Sequence, residues 1–228
     1  MNYIHISPKT DQITKEILVK IRLSMNGVTA ESMTNGGIVY KKNYGVAIHR
    51  IKEIAQFYPK EKNLADNLWQ LSIRETMIMA TLLQPVETFN KSMAEKWCAS
   101  INQLELAEQA CMNLFSKLPY ADELCLLWTK SANIWQATTG FLLASRLYNS
   151  LSDENIHTIT ATALSLCTHP NYHLYKSIAL CLGRFCRTNK ELALKILSEI
   201  EKNKDTECHS WAYIFTEVRE EMIFLDIL

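Results

Sequence analysis

Leu68-Trp69-Gln70-Leu71-Ser72, Lys96-Trp97-Cys98-Ala99-Ser100 and Leu127-Trp128-Thr129-Lys130-Ser131 carry one message three times. Each reads as a helix ending near a Trp, followed by a short break that carries a Ser. A run with a long apolar stripe comes next in every case: Ile73–Leu83, Leu104–Phe115 and Ile134–Leu147. One helical hairpin cannot bury both its faces, so hairpins recurring every few tens of residues imply a stack. The expected fold is all-α, an α-solenoid (α-α superhelix) with a concave groove.

Working outward, the punctuation agrees. Pro59, Pro85, Pro119 and Pro170 fall where apolar periodicity stops, as residues that break helices should. Four of the six glycines, Gly27, Gly36, Gly37 and Gly45, cluster between 27 and 45, which reads as a loop. No segment sustains period-two alternation with turn dipeptides, so strands are not expected. Helices are expected over 11–25, 44–57, 61–70, 73–84, 87–98, 103–116, 121–130, 133–149, 153–167, 171–187, 190–202 and 207–225. Ser152 with Asp153, and Asn171 after Pro170, read as N-caps. The organisation expected is a single domain over 1–228, with an N-terminal helix and loop over 1–43 and stacked hairpins over 44–228. In such arrays the second helix of each pair commonly lines the concave side, so chemistry is sought at the starts of those helices.

The 228 residues are 48% hydrophobic, which suits a globular chain with a substantial core. No run approaches the length of a membrane span. The N-terminal residues, from Met1 to Pro8, lack the basic start and apolar centre of a signal peptide. Seven cysteines without a CxxC pair read as reduced, buried thiols of a cytoplasmic protein. A monomer without a cofactor or a metal is expected.

Formal charge is zero, which argues against a strongly basic nucleic-acid binder, but the charges are segregated. Residues 1–60 hold nine Lys/Arg against four Asp/Glu. Residues 171–198 hold Lys176, Arg184, Arg187, Lys190 and Lys195 against Glu191 alone, and residues 200–228 reverse the balance with three bases and seven acids. Such segregation leaves either a basic groove on a neutral protein or ordinary solvated helix faces.

Catalytic and metal motifs are scarce. Cys167, His169, His173 and Cys181 lie close in sequence, yet their spacing matches no zinc pattern, and core thiols with a capping or surface histidine fit better. No GxSxG, GxxxxGK[ST] or HExxH is present. Trp69, Trp97 and Trp128 recur at equivalent places and read as a repeated core position. Trp135 departs from them by opening a second helix, where an aromatic can face the groove and contact a nucleotide.

At this point the residues look like a known family. The stretch Asn63–Leu83, the segment from Trp97 to Asn102, Leu127–Tyr148 with Asn133-Ile134-Trp135, and Lys176–Arg184 resemble, in order, the bacterial DNA alkylation repair proteins of the AlkD type. The resemblance covers roughly residues 40–200, and it implies a HEAT-like repeat solenoid. Active members are DNA glycosylases that excise N3- and N7-alkylated purines without flipping the base into a pocket. Such a cationic purine already has a weakened glycosidic bond. The chemistry therefore needs mainly a carboxylate against the developing oxocarbenium sugar, and aromatic faces for the cationic nucleotide.

The family strip Trp-Trp-Asp-x-x-Asp, whose last Asp is catalytic, matches Trp97-Cys98-Ala99-Ser100-Ile101-Asn102. The second Trp has become Cys98 and the acid has become Asn102. The family's phosphate-gripping Arg falls on Thr138, and its late Trp falls on Leu180. A neutral Asn cannot supply the anion, a loss of several kcal/mol in the transition state, or roughly 10²–10³ in rate.

The resemblance therefore implies a DNA-binding repair-family protein with weak or no glycosylase activity, cytoplasmic, bacterial and nucleoid-associated if it binds DNA. Double-stranded or branched DNA would be held by its backbone through Trp97, Trp135, Lys41, Lys42, Arg50, Arg74, Lys130, Arg146, Lys176 and Arg184. Two alternatives stand beside it: an active glycosylase that replaces Asn102 with Glu105 or Glu108, one turn apart just beyond it, and a protein–protein scaffold.

Overall fold

A computed structural model describes residues 7–202 and 207–228; residues 1–6 of the N-terminal stretch read for a signal peptide lie outside them. Thirteen α-helices account for most of the described residues, joined by short breaks and two 3₁₀ turns. They are α1 (Pro8–Leu23), α2 (Gly27–Asn35), α3 (Ile48–Ala55), α4 (Lys62–Gln70), α5 (Arg74–Leu83), α6 (Lys91–Ala99) and α7 (Leu104–Asn113). Then come α8 (Ala121–Trp128), α9 (Ile134–Leu147), α10 (Asp153–Ser165), α11 (Tyr172–Cys186), α12 (Lys190–Lys202) and α13 (His209–Phe224). Among the described residues no helix is long and apolar enough to cross a membrane.

The triple sequence echo has one structural cause. After Trp69, Trp97 and Trp128, the N–H of Ser72, Ser100 and Ser131 donates to the Trp carbonyl at 3.2, 3.1 and 3.0 Å. Each break is therefore the same i to i+3 turn closing a helix end, and all three indoles are buried. Trp128 shows what the position does. Its ring meets Phe115 edge-on at 5.1 Å, and its Nε1–H donates to Glu95, so one side chain joins α6, the 3₁₀ turn after α7, and α8. The Ser152 and Asn171 caps form as read, accepting from the N–H of Asn155 and Leu174.

The chain packs as two compact units divided between Met93 and Ala94, within α6. In the first, α5 packs on α4 and α3, and α1 packs on both α3 and α4. In the second, α7, α9, α11 and α13 pack side by side as one layer, and α8, α10 and α12 cover it. The layers approach closely at Gly140, where a Cβ would sit 2.6 Å from the Thr129 backbone nitrogen. The second helices of the hairpins thus form the continuous layer, as the repeat reading requires, and the fold is an all-α solenoid of HEAT-like hairpins.

The stretch expected to be a loop holds a helix. α2 occupies 27–35 with no buried residue, which is why no apolar period marked it. It is held from its ends instead. Asn26 caps it by accepting from Thr29 N–H, and the Asn26 N–H donates to the Tyr44 carbonyl at 2.9 Å. Gly45 sits at φ +68°, and a Cβ there would fall 2.1 Å from the Asn26 carbonyl oxygen, so glycine is required on both counts.

Candidate nucleic-acid interface

In the first unit, Lys41, Lys42 and Arg50 are exposed. The Lys42 ammonium lies 4.8 Å from the centre of the Tyr44 ring. Arg50 pairs with Glu53 at 2.8 Å and donates to Ser24. Arg74 is a correction. It is 3% exposed, donates to the Val46 carbonyl at 2.8 Å and pairs with Glu75 at 3.0 Å. Glu75, fully buried, accepts from the N–H groups of Tyr44 and Val46. Together the two residues satisfy the irregular backbone before α3, so Arg74 is unable to reach a phosphate.

Trp97 is corrected as well. At 5% exposure it is a core residue, and Cys98 beside it is fully buried. Asn102, the last residue of the strip, is exposed in the break before α7. Thr138 is buried, with its hydroxyl unsatisfied, so the position offers nothing to a phosphate. Leu180 projects to solvent from α11 beside Gly183, Arg184, Glu217 and Glu221, which line a small pocket of 90 Å³. Arg187 pairs with Glu221.

The structure brings together Glu105, Glu108, Arg146 and Lys176 on the layer of second helices. Glu108 on α7 is half-buried, and burial raises its carboxyl above the usual range. Arg146 on α9 opposes that rise, Glu105 adds to it, and Lys176 on α11 opposes it. Arg146 is exposed, and Lys176 and Arg184 are partly exposed. Lys130 is exposed in the break after α8.

Trp135 sits where the sequence suggested, at the start of α9 and half-buried, and it has company that sequence reasoning missed. Its ring lies on that of His173 with centroids 4.9 Å apart and planes tilted by 31°. Tyr172 meets His173 edge-on, and Tyr175 meets Tyr172, His209 and Tyr213. Six rings therefore run across the N-terminal ends of α9, α11 and α13. Lys176 is seated among them. Its ammonium donates to the Tyr172 hydroxyl at 2.9 Å, lies 4.9 Å from the centre of that ring and 5.8 Å from that of Tyr213. The Tyr172 hydrogen bond holds Lys176 above its ordinary pKa. Burial, and then the Lys176 charge, hold His173 below 6.5, so it is a neutral stacking partner at neutral pH. The signal was Tyr172-His173-x-Tyr175-Lys176 directly after an N-cap, with His209-x-x-x-Tyr213 opening the next helix of the layer.

The cysteines and histidines weighed against a zinc pattern serve other roles in the same region. Cys167 and Cys181 are buried thiols, and His169 accepts from the Asn171 N–H. Among the described residues no three His, Cys, Asp or Glu side chains gather to hold a metal ion. The thiols act as small core groups. Burial raises Cys98 and Cys186 to about 12, which leaves them unreactive.

Comparison with known proteins agrees with this architecture. A solved protein described as one of "a new family of proteins related to the HEAT-like repeat DNA glycosylases with affinity for branched DNA structures" superposes with a TM-score of 0.76, at 14% identity. The match covers 91% of this chain and 94% of that one. No curated protein matches the sequence. Residues 20–212 match the family described as DNA alkylation repair enzyme, more than half of the sequence, and the chain belongs to that family.

Proposed function

We propose that this protein binds DNA through the phosphate backbone, on the layer of second helices, with a branched or distorted duplex as its target and with little or no glycosylase chemistry. The observation that carries the reading is Lys176, seated between two tyrosine rings at the start of α11 on the layer that also bears Arg146 and Arg184. Family membership supports a DNA ligand, and a protein of the same fold has affinity for branched DNA. Asn102, standing where the resemblance puts the catalytic acid, supports binding over cutting. A curved array of backbone contacts reads DNA shape rather than base sequence.

The test is DNA binding by fluorescence anisotropy across a salt series. The double variant Lys176→Glu with Arg184→Glu is expected to lose tenfold or more in affinity and to lower the slope of log affinity against log salt by about two. Unchanged, salt-independent binding sinks the reading.

Glu108 favours one second reading, an N-alkylpurine glycosylase in which this half-buried carboxylate stands in for the missing Asp. Release of 7-methylguanine from methylated DNA at high enzyme excess, abolished in Glu108→Gln, would support it. No release by the wild type excludes it.

A further inference from the structure

Of the six rings at the ends of α9, α11 and α13, all but Tyr175 have no core to serve. Buried aromatics fill the packing role elsewhere in this unit, with Trp128, Phe115, Phe141 and Phe185 all fully enclosed. Of the cluster only Tyr175 and its neighbour contacts are interior. Tyr172 is 52% exposed, His209 is exposed, and Trp135, His173 and Tyr213 are half-buried. Rings held in fixed mutual orientation at a solvent boundary, by partners on three separate helices, form a rigid apolar face that solvation alone would not select.

The charge beside that face is equally placed. α11 carries no Asp or Glu along its length, and Lys176 is fixed by the Tyr172 hydroxyl rather than left to swing. The N-terminal ends of three helices add partial positive charge on the same side. Two acids oppose it: Glu217, beside Tyr213, and Glu108, within electrostatic reach of Lys176. A fixed cation next to a π surface matches the two chemistries of a nucleotide, an aromatic base and an anionic phosphate.

We infer that the cluster of Trp135, Tyr172, His173 and Tyr213 is a stacking site for one unpaired base of a DNA ligand, with Lys176 as the contact to its neighbouring phosphate. The site rests on the DNA-binding reading above and sharpens it. A base inside an intact duplex is paired and has both faces covered by its neighbours, so a fork, flap or single-stranded arm is what supplies an unpaired base to Tyr172. Stacking on rings reads no hydrogen-bonding edge, and the site therefore tolerates any base. The preference it creates is for unpaired structure, not for sequence.

Anisotropy with three probes tests this: a blunt duplex, the same duplex ending in single-stranded arms, and a single-stranded oligonucleotide. The wild type is expected to bind the armed duplex about tenfold more tightly than the blunt one. Tyr172→Ala is expected to remove that margin, so that armed and blunt duplexes are bound equally, beyond any loss that freeing Lys176 brings to both. Tyr172→Phe keeps the ring, loses the hydroxyl that holds Lys176, and is expected to retain most of the margin. Equal binding of armed and blunt duplexes by the wild type, or an equal loss on both in Tyr172→Ala, overturns the stacking site and leaves backbone binding intact. Absence of binding to every probe at low salt overturns both.

Discussion

The starts of α5 and α11 each hold a cation and use it in opposite ways. At α5, Arg74 and Glu75 are enclosed and spent on the protein's own backbone: Glu75 accepts from Tyr44 and Val46, and Arg74 donates to the Val46 carbonyl. At α11, Lys176 is held by two tyrosines and keeps its charge at the surface. The difference lies in what precedes each helix. Residues 36–47 of the first unit are irregular, and the N–H groups of Tyr44 and Val46 and the Val46 carbonyl find their partners in the Arg74 and Glu75 side chains. The breaks of the second unit are short turns that close on themselves, as Ser131 does on Trp128. Charge at a helix start becomes available to a ligand only where the chain nearby does not need it.

The strongest way to break this contrast is to remove one member of the enclosed pair. Glu75→Gln removes the charge paired with Arg74, and replaces one carboxylate oxygen by an amide donor facing the Tyr44 N–H. The expected loss is about 3–5 kcal/mol of unfolding free energy, read by urea denaturation. Arg184→Ala, at the partly exposed position of α11, should stay within about 0.5 kcal/mol of wild type. A Glu75→Gln loss under 1 kcal/mol would place the buried pair with ordinary surface ion pairs and erase the distinction.

These two sites also mark how far the sequence can be read. The repeated Trp and Ser announced the hairpins because the turn they form is local, three residues long, and made the same way each time. The Ser152 and Asn171 caps were legible for the same reason. Arg74 was not, because its partners in 44–46 are remote in sequence and nothing in the string marks that backbone as unsatisfied. α2 escaped because it buries nothing and is held at Asn26 and Gly45. The rings around Tyr175 come from three helices spread over nearly 80 residues, and only Trp135 stood out, since it alone interrupted a pattern. Local chemistry shows in a sequence, whereas convergence of distant residues does not.

A pH titration sharpens the contrast at the second site. Burial, and next the charge of Lys176, hold His173 below its ordinary 6.5. The folded state therefore binds fewer protons at this position than the unfolded chain. The stability it contributes is present above pH 6.5 and is lost as pH falls below it. Trp135, stacked on the imidazole, reports the event by fluorescence, with Trp135→Phe removing the signal. The expected midpoint lies below 6.5. Lys176→Met should move it upward without reaching 6.5, because burial by Trp135 and the packing of α11 remain. A midpoint at or above 6.5 would mean that the imidazole is not enclosed against Trp135, and one indifferent to Lys176→Met that the lysine does not face the cluster.

Glu108 gives the smallest effect and the one of opposite sign to Glu75. Both are glutamates in the first two turns of a second helix, but Glu75 is ringed by donors, whereas Glu108 is half-buried with burial outweighing the help of Arg146 and Lys176. Its folded pKa is raised, so its contribution to stability is fully present below the ordinary carboxyl value of 4.5 and is lost as pH rises through the folded value. At neutral pH the ionised carboxylate is a net cost. Glu108→Gln should therefore raise the unfolding free energy at pH 7, by at most about 0.5 kcal/mol after solvent screening is allowed for. The gain should vanish below pH 4.5, where wild type and variant are both uncharged. A carboxylate kept at a stability cost beside two cations suits a group retained for work on a ligand. If Glu108→Gln instead destabilised the protein at pH 7, Arg146 and Lys176 would outweigh the burial, and Glu108 would join Glu75 as a structural acid.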